Sequence, residues 1–163
     1  QFEQPSLVNT VLNCLALHHV PPEMLILEVT ETTAMSNPDE SVRVLTELTE
    51  AGVKASIDDF GTGYSSLLYL KRLPACELKI DRAFVKELSG ESEDATIVSA
   101  IVALAKTLNL KVVAEGVETE AQQAFLTELG CNTLQGYLLG KPVSAQTIEA
   151  LCARGEMLPG AGL

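Results

Sequence analysis

Two adjacent carboxylates, Asp58 and Asp59, stand where an apolar run stops and glycines begin, in the stretch Ile57-Asp58-Asp59-Phe60-Gly61-Thr62-Gly63-Tyr64-Ser65-Ser66. An acid pair at such a junction is as often a turn and helix cap as a set of ligands, so its chemistry depends on its company. Similar groups recur along the chain: Glu28 and Glu31 behind one apolar run, Lys79 near the end of another, Glu115 and Glu118 behind a third, and Gln135 in a fourth. Carboxylates without imidazole or thiolate make a hard-oxygen set suited to Mg²⁺ or Mn²⁺ and not to zinc. Two such ions could lower the pKa of a bridging water and neutralise a phosphodiester. Lys79, the one cation in an acidic ring, could hold that water or offset charge on the phosphate. Each residue alone reads as well as a salt bridge or a cap, and the signal lies in their joint placement.

The elements that must position these groups follow from periodicity. Leu7, Val11, Leu12 and Leu15 fall at helical spacing from Ser6, and Val20-Pro21-Pro22 stops the pattern. A short strand is expected over 24–29. Asn37-Pro38-Asp39-Glu40 then offers a cap and a first-turn proline for a helix striped by Val42, Leu45 and Leu48 and ended by Gly52. A second strand is expected over 53–57, a short helix over 64–73, a third strand over 76–80, a helix over 96–108 and a fourth strand over 111–114. Thr119 and Gln122 form a capping-box pattern for a helix that ends at Gly130. A fifth strand over 133–137, a last helix over 144–153 and a flexible tail over 155–163 complete the reading. The carboxylates therefore sit at the C-terminal ends of strands.

Alternating strands and helices give a parallel sheet flanked by helices, either doubly wound and open or an α/β TIM-type (β/α)8 barrel. Polar groups close five consecutive strands, which favours the barrel, because an open sheet concentrates its site at one switch point. About five of the eight strand-helix units are present. With 163 residues and 47% hydrophobic content the chain suits one domain with a sizeable core. A net charge of −11 argues against a nucleic-acid polymer as partner, and a phosphate-bearing substrate would need metal cations. The four cysteines form no Cys-x-x-Cys pair, which argues against a zinc site or a disulfide framework; they are expected to be reduced core residues. His18 and His19 are expected at a helix end. No apolar run approaches the roughly 18 residues of a membrane span, and a cytoplasmic chain is expected. The start at Gln1, inside a helical pattern, leads to the expectation of a longer parent whose flanking segments could hold a sensor or a membrane anchor.

Leu27-Glu28-Val29-Thr30-Glu31, the stretch from Asp58 to Ser66, Leu78-Lys79-Ile80-Asp81-Arg82, Val113-Ala114-Glu115-Gly116-Val117-Glu118-Thr119 and Gln135-Gly136-Tyr137 resemble, in order and spacing, the EAL-domain cyclic-di-GMP phosphodiesterases. The resemblance covers the chain to about residue 153 and makes residues 1–154 the C-terminal portion of such a domain. It implies Mg²⁺- or Mn²⁺-dependent hydrolysis of cyclic-di-GMP to linear pGpG in bacterial second-messenger signalling. Glu28, Asp58 and Asp59 match metal ligands, and Lys79 matches the lysine that contacts the catalytic water. Glu115 matches a metal ligand or general base, and Glu118 and Gln135 match supporting or water-positioning residues. Glu31 matches the anchor of the Asp-Asp-Phe-Gly loop, which in the family contributes to a homodimer. A diguanylate cyclase or sensor domain is a further expectation for the parent.

The departure is N-terminal. The Glu-Ala-Leu segment that names the family, whose Glu is a metal ligand, does not precede these motifs, and neither does the family's Asn ligand. The two-metal site is thus expected to be incomplete and these 163 residues alone inactive. Two other readings stay open: a degenerate domain that binds cyclic-di-GMP or a protein without hydrolysis, and another metal-dependent barrel enzyme, such as one acting on an enolate, which would also place carboxylates beside a lysine.

Overall fold

The computed structural model describes residues 1–2, 4–63, 66–88 and 92–155; the expected tail beyond residue 155 lies outside them. Five strands form one parallel sheet in the order β1 (Ile26–Thr30), β2 (Lys54–Phe60), β3 (Glu77–Ile80), β4 (Lys111–Glu115) and β5 (Thr133–Gln135). Each strand pairs with the next in sequence, with Thr30 beside Asp58, Lys79 beside Val113, and Glu115 beside Gln135. The order never doubles back, as a doubly wound sheet must at its switch point. The sheet is an arc of a (β/α)8-type barrel, as the carboxylate pattern implies.

The helices are α1 (Leu7–Leu17), α2 (Glu31–Ser36), α3 (Pro38–Glu50), α4 (Leu67–Leu70), α5 (Arg82–Lys86), α6 (Glu93–Thr107), α7 (Glu120–Leu129) and α8 (Ala145–Arg154). The α7 boundaries agree with the pattern: Thr119 and Gln122 cap each other and Gly130, at φ +85°, ends the helix. His18 caps the C-terminus of α1. Periodicity misses α2 and α5, which at six and five residues are too short to show a stripe. Each is started instead by a single side chain, Thr30 accepting from the Thr33 amide and Asp81 from the Ala83 amide. Among the described residues no helix is long and apolar enough to cross a membrane.

Strand alternation divides the sheet into two chemically distinct faces. Val29, Ala55, Ile57, Leu78, Ile80, Val112 and Ala114 point one way and pack with Leu45, Val85, Val98, Val102 and Leu126 into the main core. Their neighbours in sequence, Glu28, Ser56, Asp58, Lys79, Glu115 and Gln135, share the opposite face by register. All five strands thus deliver polar groups to one side while keeping their apolar residues under the helices.

The cysteines divide in the same way. Cys14 and Cys152 are exposed, contrary to the core placement expected for all four, and Cys76 and Cys131 are half-buried. Burial pushes the Cys131 thiol up to about 11. Because the thiolate is the nucleophile, an aromatic disulfide reagent at pH 8 should label Cys14 and Cys152 at least about tenfold faster than Cys131; equal rates would contradict this burial.

Candidate metal centre

Lys79 lies in β3, with the apolar core behind it and only 6% of its side chain exposed. Its Nζ is 2.7 Å from Glu115 Oε1 on β4, 2.8 Å from Glu28 Oε1 on β1, and 3.1 Å from Asp58 Oδ1 on β2. One ammonium therefore joins all four of the first strands. Burial alone would favour the neutral amine, but the carboxylates of Glu115, Glu28 and Asp58 outweigh it and hold the ammonium above its usual range. At an effective dielectric of about 20, each contact is worth about 5 kcal/mol of attraction, set against several kcal/mol to desolvate each ion.

Asp58 and Asp59 are consecutive, so a regular strand would send them to opposite faces. The structure prevents this. β2 continues through Phe60, beyond its expected end at residue 57, and its pairing with β3 shifts register between Ile57 and Phe60. Asp59 takes φ +53° within that irregularity, a left-handed conformation costly for a residue with a Cβ. Carboxylate oxygens of Asp58, Asp59 and Glu115 consequently lie within 4.8 Å of one another. The Asp59 carboxyl is pushed up by burial, then by the Asp58 charge and by a hydrogen-bonding contact with Asp81.

Glu31 holds the turn that follows. It is 1% exposed, and its Oε2 accepts the amides of Gly61 at 2.8 Å and Gly63 at 3.4 Å. Gly61, at φ +99°, has no room for a Cβ, which would stand 2.8 Å from the Phe84 ring. Thr62 Oγ1 closes the turn by donating to the Asp59 carbonyl at 2.8 Å.

These residues fit a divalent cation. The donor set is all oxygen, and the three carboxylates that meet the single Lys79 ammonium outnumber it. Asp58 Oδ1 is buried with no hydrogen-bond partner, although it lies in ion-pair range of Lys79. Asp58, Asp59 and Glu115 could hold Mg²⁺ or Mn²⁺, while Glu28 joins the cluster through Lys79.

Not every expected residue joins the cluster. Glu118 and Gln135 lie with Glu115 along a neighbouring cavity of about 450 Å³, whose lining includes Arg82, Tyr137 and Lys141. Lys141 Nζ stands 5.6 Å over the Tyr137 ring. Sequence reasoning missed Asp81, whose signal was an acid immediately after the Lys79 strand, and took Gln122 as a cap alone. The tripeptide Glu149-Ala150-Leu151 occurs within α8 and not at a strand end.

Comparison with known proteins gives a consistent picture. A family model described as the EAL domain matches residues 1–142. The bifunctional diguanylate cyclase/cyclic di-GMP phosphodiesterase MucR of Pseudomonas aeruginosa is 64% identical over 94% of this chain and 22% of its own length. A solved structure of the PaMucR phosphodiesterase in complex with c-di-GMP has a TM-score of 0.87 at 65% identity, covering 90% of this chain and 60% of that one. The manganese/cy-diGMP complex of Klebsiella pneumoniae BlrP1 at pH 9.0 has a TM-score of 0.77 at 35% identity, covering 86% of this chain and 36% of that one. The chain spans about a fifth of the length of MucR and of other curated relatives it matches.

Removing the ammonium tests the electrostatic role of Lys79. Lys79→Met, which keeps the stem, should lower stability, though by less than the roughly 3–5 kcal/mol of a fully buried pair, because the carboxylates it leaves uncompensated are partly exposed. Millimolar Mn²⁺ should then raise the melting temperature of the variant more than that of the wild type. Equal shifts in thermal denaturation would contradict the shared charge balance.

Proposed function

The chain belongs to the EAL domain family, and from that premise we propose that residues 1–154 form the C-terminal portion of a metal-dependent phosphodiesterase that hydrolyses cyclic-di-GMP to pGpG. The observation that carries this reading is the convergence of Glu28, Asp58 and Glu115 on the buried Lys79 ammonium, with Asp59 brought to the same cluster. The likeness to a solved phosphodiesterase in complex with c-di-GMP supports the substrate.

Glu28, Asp58, Asp59 and Glu115 would hold Mg²⁺ or Mn²⁺. Bound there, divalent ions supply a water of lowered pKa and offset the charge of the phosphodiester. Lys79 has three N–H bonds and three carboxylates around it, so it can donate to a water only by releasing one of them. Asp58, at the longest separation of 3.1 Å, is the contact most readily given up. Glu115 meets the ammonium through Oε1, which leaves its other oxygen free to accept a proton or serve the ligand set. The water oxygen forms a bond to phosphorus as the P–O3′ bond breaks. Glu115 takes the water proton, and the departing 3′ oxygen takes one from solvent. Gln135 and Glu118, beside Glu115 in the adjoining cavity, would orient the water or the bound dinucleotide.

Two features extend the proposal. Leu67 and Leu68, 60% and 69% exposed on α4 just after the Asp-Asp-Phe-Gly loop, support a homodimer formed through that region. Residues 1–163 alone should not turn over the dinucleotide. In the complete protein with Mg²⁺ or Mn²⁺, cyclic-di-GMP should be converted to pGpG. Asp58→Asn and Lys79→Ala should each lower kcat by at least about 10²-fold. Intact cyclic-di-GMP in the wild-type reaction would overturn the reading.

A further inference from the structure

Gln122 does more than a capping residue requires. In a capping box its Oε1 need only accept the N-cap amide. Here Oε1 accepts two amides, from Thr119 at 3.0 Å and Glu118 at 2.8 Å. Nε2 donates at the same time to the carbonyls of Val85 at 3.0 Å and Lys86 at 3.3 Å. All four hydrogen-bonding positions of the side-chain amide are used, and the residue is 6% exposed. The two carbonyls belong to the last turn of α5, where the Val85 carbonyl also accepts the Leu88 amide at 3.2 Å. One side chain therefore closes the C-terminal end of α5 and the N-terminal end of α7.

Those two ends belong to the strands that carry Lys79 and Glu115. α5 follows β3 directly, and its N-cap is Asp81. On its flank, Arg82 leaves so little room beside Gly116 that a Cβ there would lie 2.6 Å from Arg82 Cβ. The turn from Glu115 to Glu118 is gripped from the other side by β5: the Val117 amide donates to the Gln135 carbonyl at 3.0 Å, and the Val117 carbonyl accepts from Leu138 at 3.0 Å. Gln122 completes this grip on the α5 side. We infer that Gln122 is a positioning residue that, by tying α5 to the β4–α7 turn, fixes the Glu115 carboxylate against Lys79. The inference rests on the proposed role of the Lys79–Glu115 pair.

The test is made in the complete protein. Gln122→Glu keeps an acceptor for the two amides but removes both donors to α5, whereas Thr119→Ala removes the reciprocal cap of α7 and leaves the Gln122 side chain in place. Gln122→Glu should lower kcat by about 10-fold to 10²-fold with KM changed less than about twofold, as expected for a small displacement of a reacting group. It should also weaken Mn²⁺ binding measured by calorimetry. Thr119→Ala should leave both quantities within about twofold even at a comparable loss of melting temperature. Equal effects of the two variants on kcat and on Mn²⁺ affinity would overturn the inference. A wild type without cyclic-di-GMP turnover would instead sink the functional reading, and Mn²⁺ affinity would still decide the role of Gln122. Should Gln122→Glu fail to fold, hydrogen exchange in the wild type decides: the Glu118 amide should be protected like those of β4, and free exchange there would refute the tie.

Discussion

A single buried ammonium organises the polar face of this sheet. Lys79 is tolerated in a nearly closed environment because three carboxylates from three other strands meet it, and those carboxylates are tolerated close together because the ammonium lies among them. The ammonium depends on that balance most, since a buried charge without a partner costs several kcal/mol, whereas the carboxylates keep part of their solvent contact. The excess of acid over base then leaves the cluster suited to divalent cations. The tight packing behind the strands has a second effect: with Leu78 and Ile80 fully buried in the core, β3 has little freedom to carry Lys79 away from its partners.

The strands alone cannot complete the arrangement. Asp58 and Asp59 reach one cluster only because β2 breaks its alternation, and the break needs support on both sides. Glu31 supplies it from α2 by accepting two loop amides, and the absence of a side chain at Gly61 lets the loop lie against Phe84. A buried carboxylate outside the ligand cluster thus shapes the cluster. The short helices α2 and α5 serve the same purpose, each directly following a strand that carries site residues.

Much of this was legible in the chain itself. The strand and helix order, the α7 capping box and the set Glu28, Asp58, Asp59, Lys79 and Glu115 can be read from periodicity, cap chemistry and the repeated placement of polar groups after apolar runs. α2 and α5 were not legible, because five or six residues do not complete enough turns to show a stripe. The exposure of Cys14 and Cys152 was hidden as well, since cysteine is among the most frequently buried residue types and nothing local marks the exceptions. Gln122 appeared as a cap because its amides are neighbours in sequence, whereas the carbonyls it also serves lie 36 and 37 residues away.

The sequence by itself determined which chemistry is possible: hard oxygen ligands, one lysine and a parallel α/β framework that sends them to one sheet face. Those properties are carried by residue type and by the two-residue period of a strand, both local. Tertiary structure decided which carboxylates meet Lys79, how two consecutive aspartates come to serve one cluster, and that Glu118 and Gln135 stand apart beside a cavity. Those outcomes depend on strand register, on a left-handed residue inside a bulge and on hydrogen bonds between distant segments, and none of these is set by the residues immediately around them.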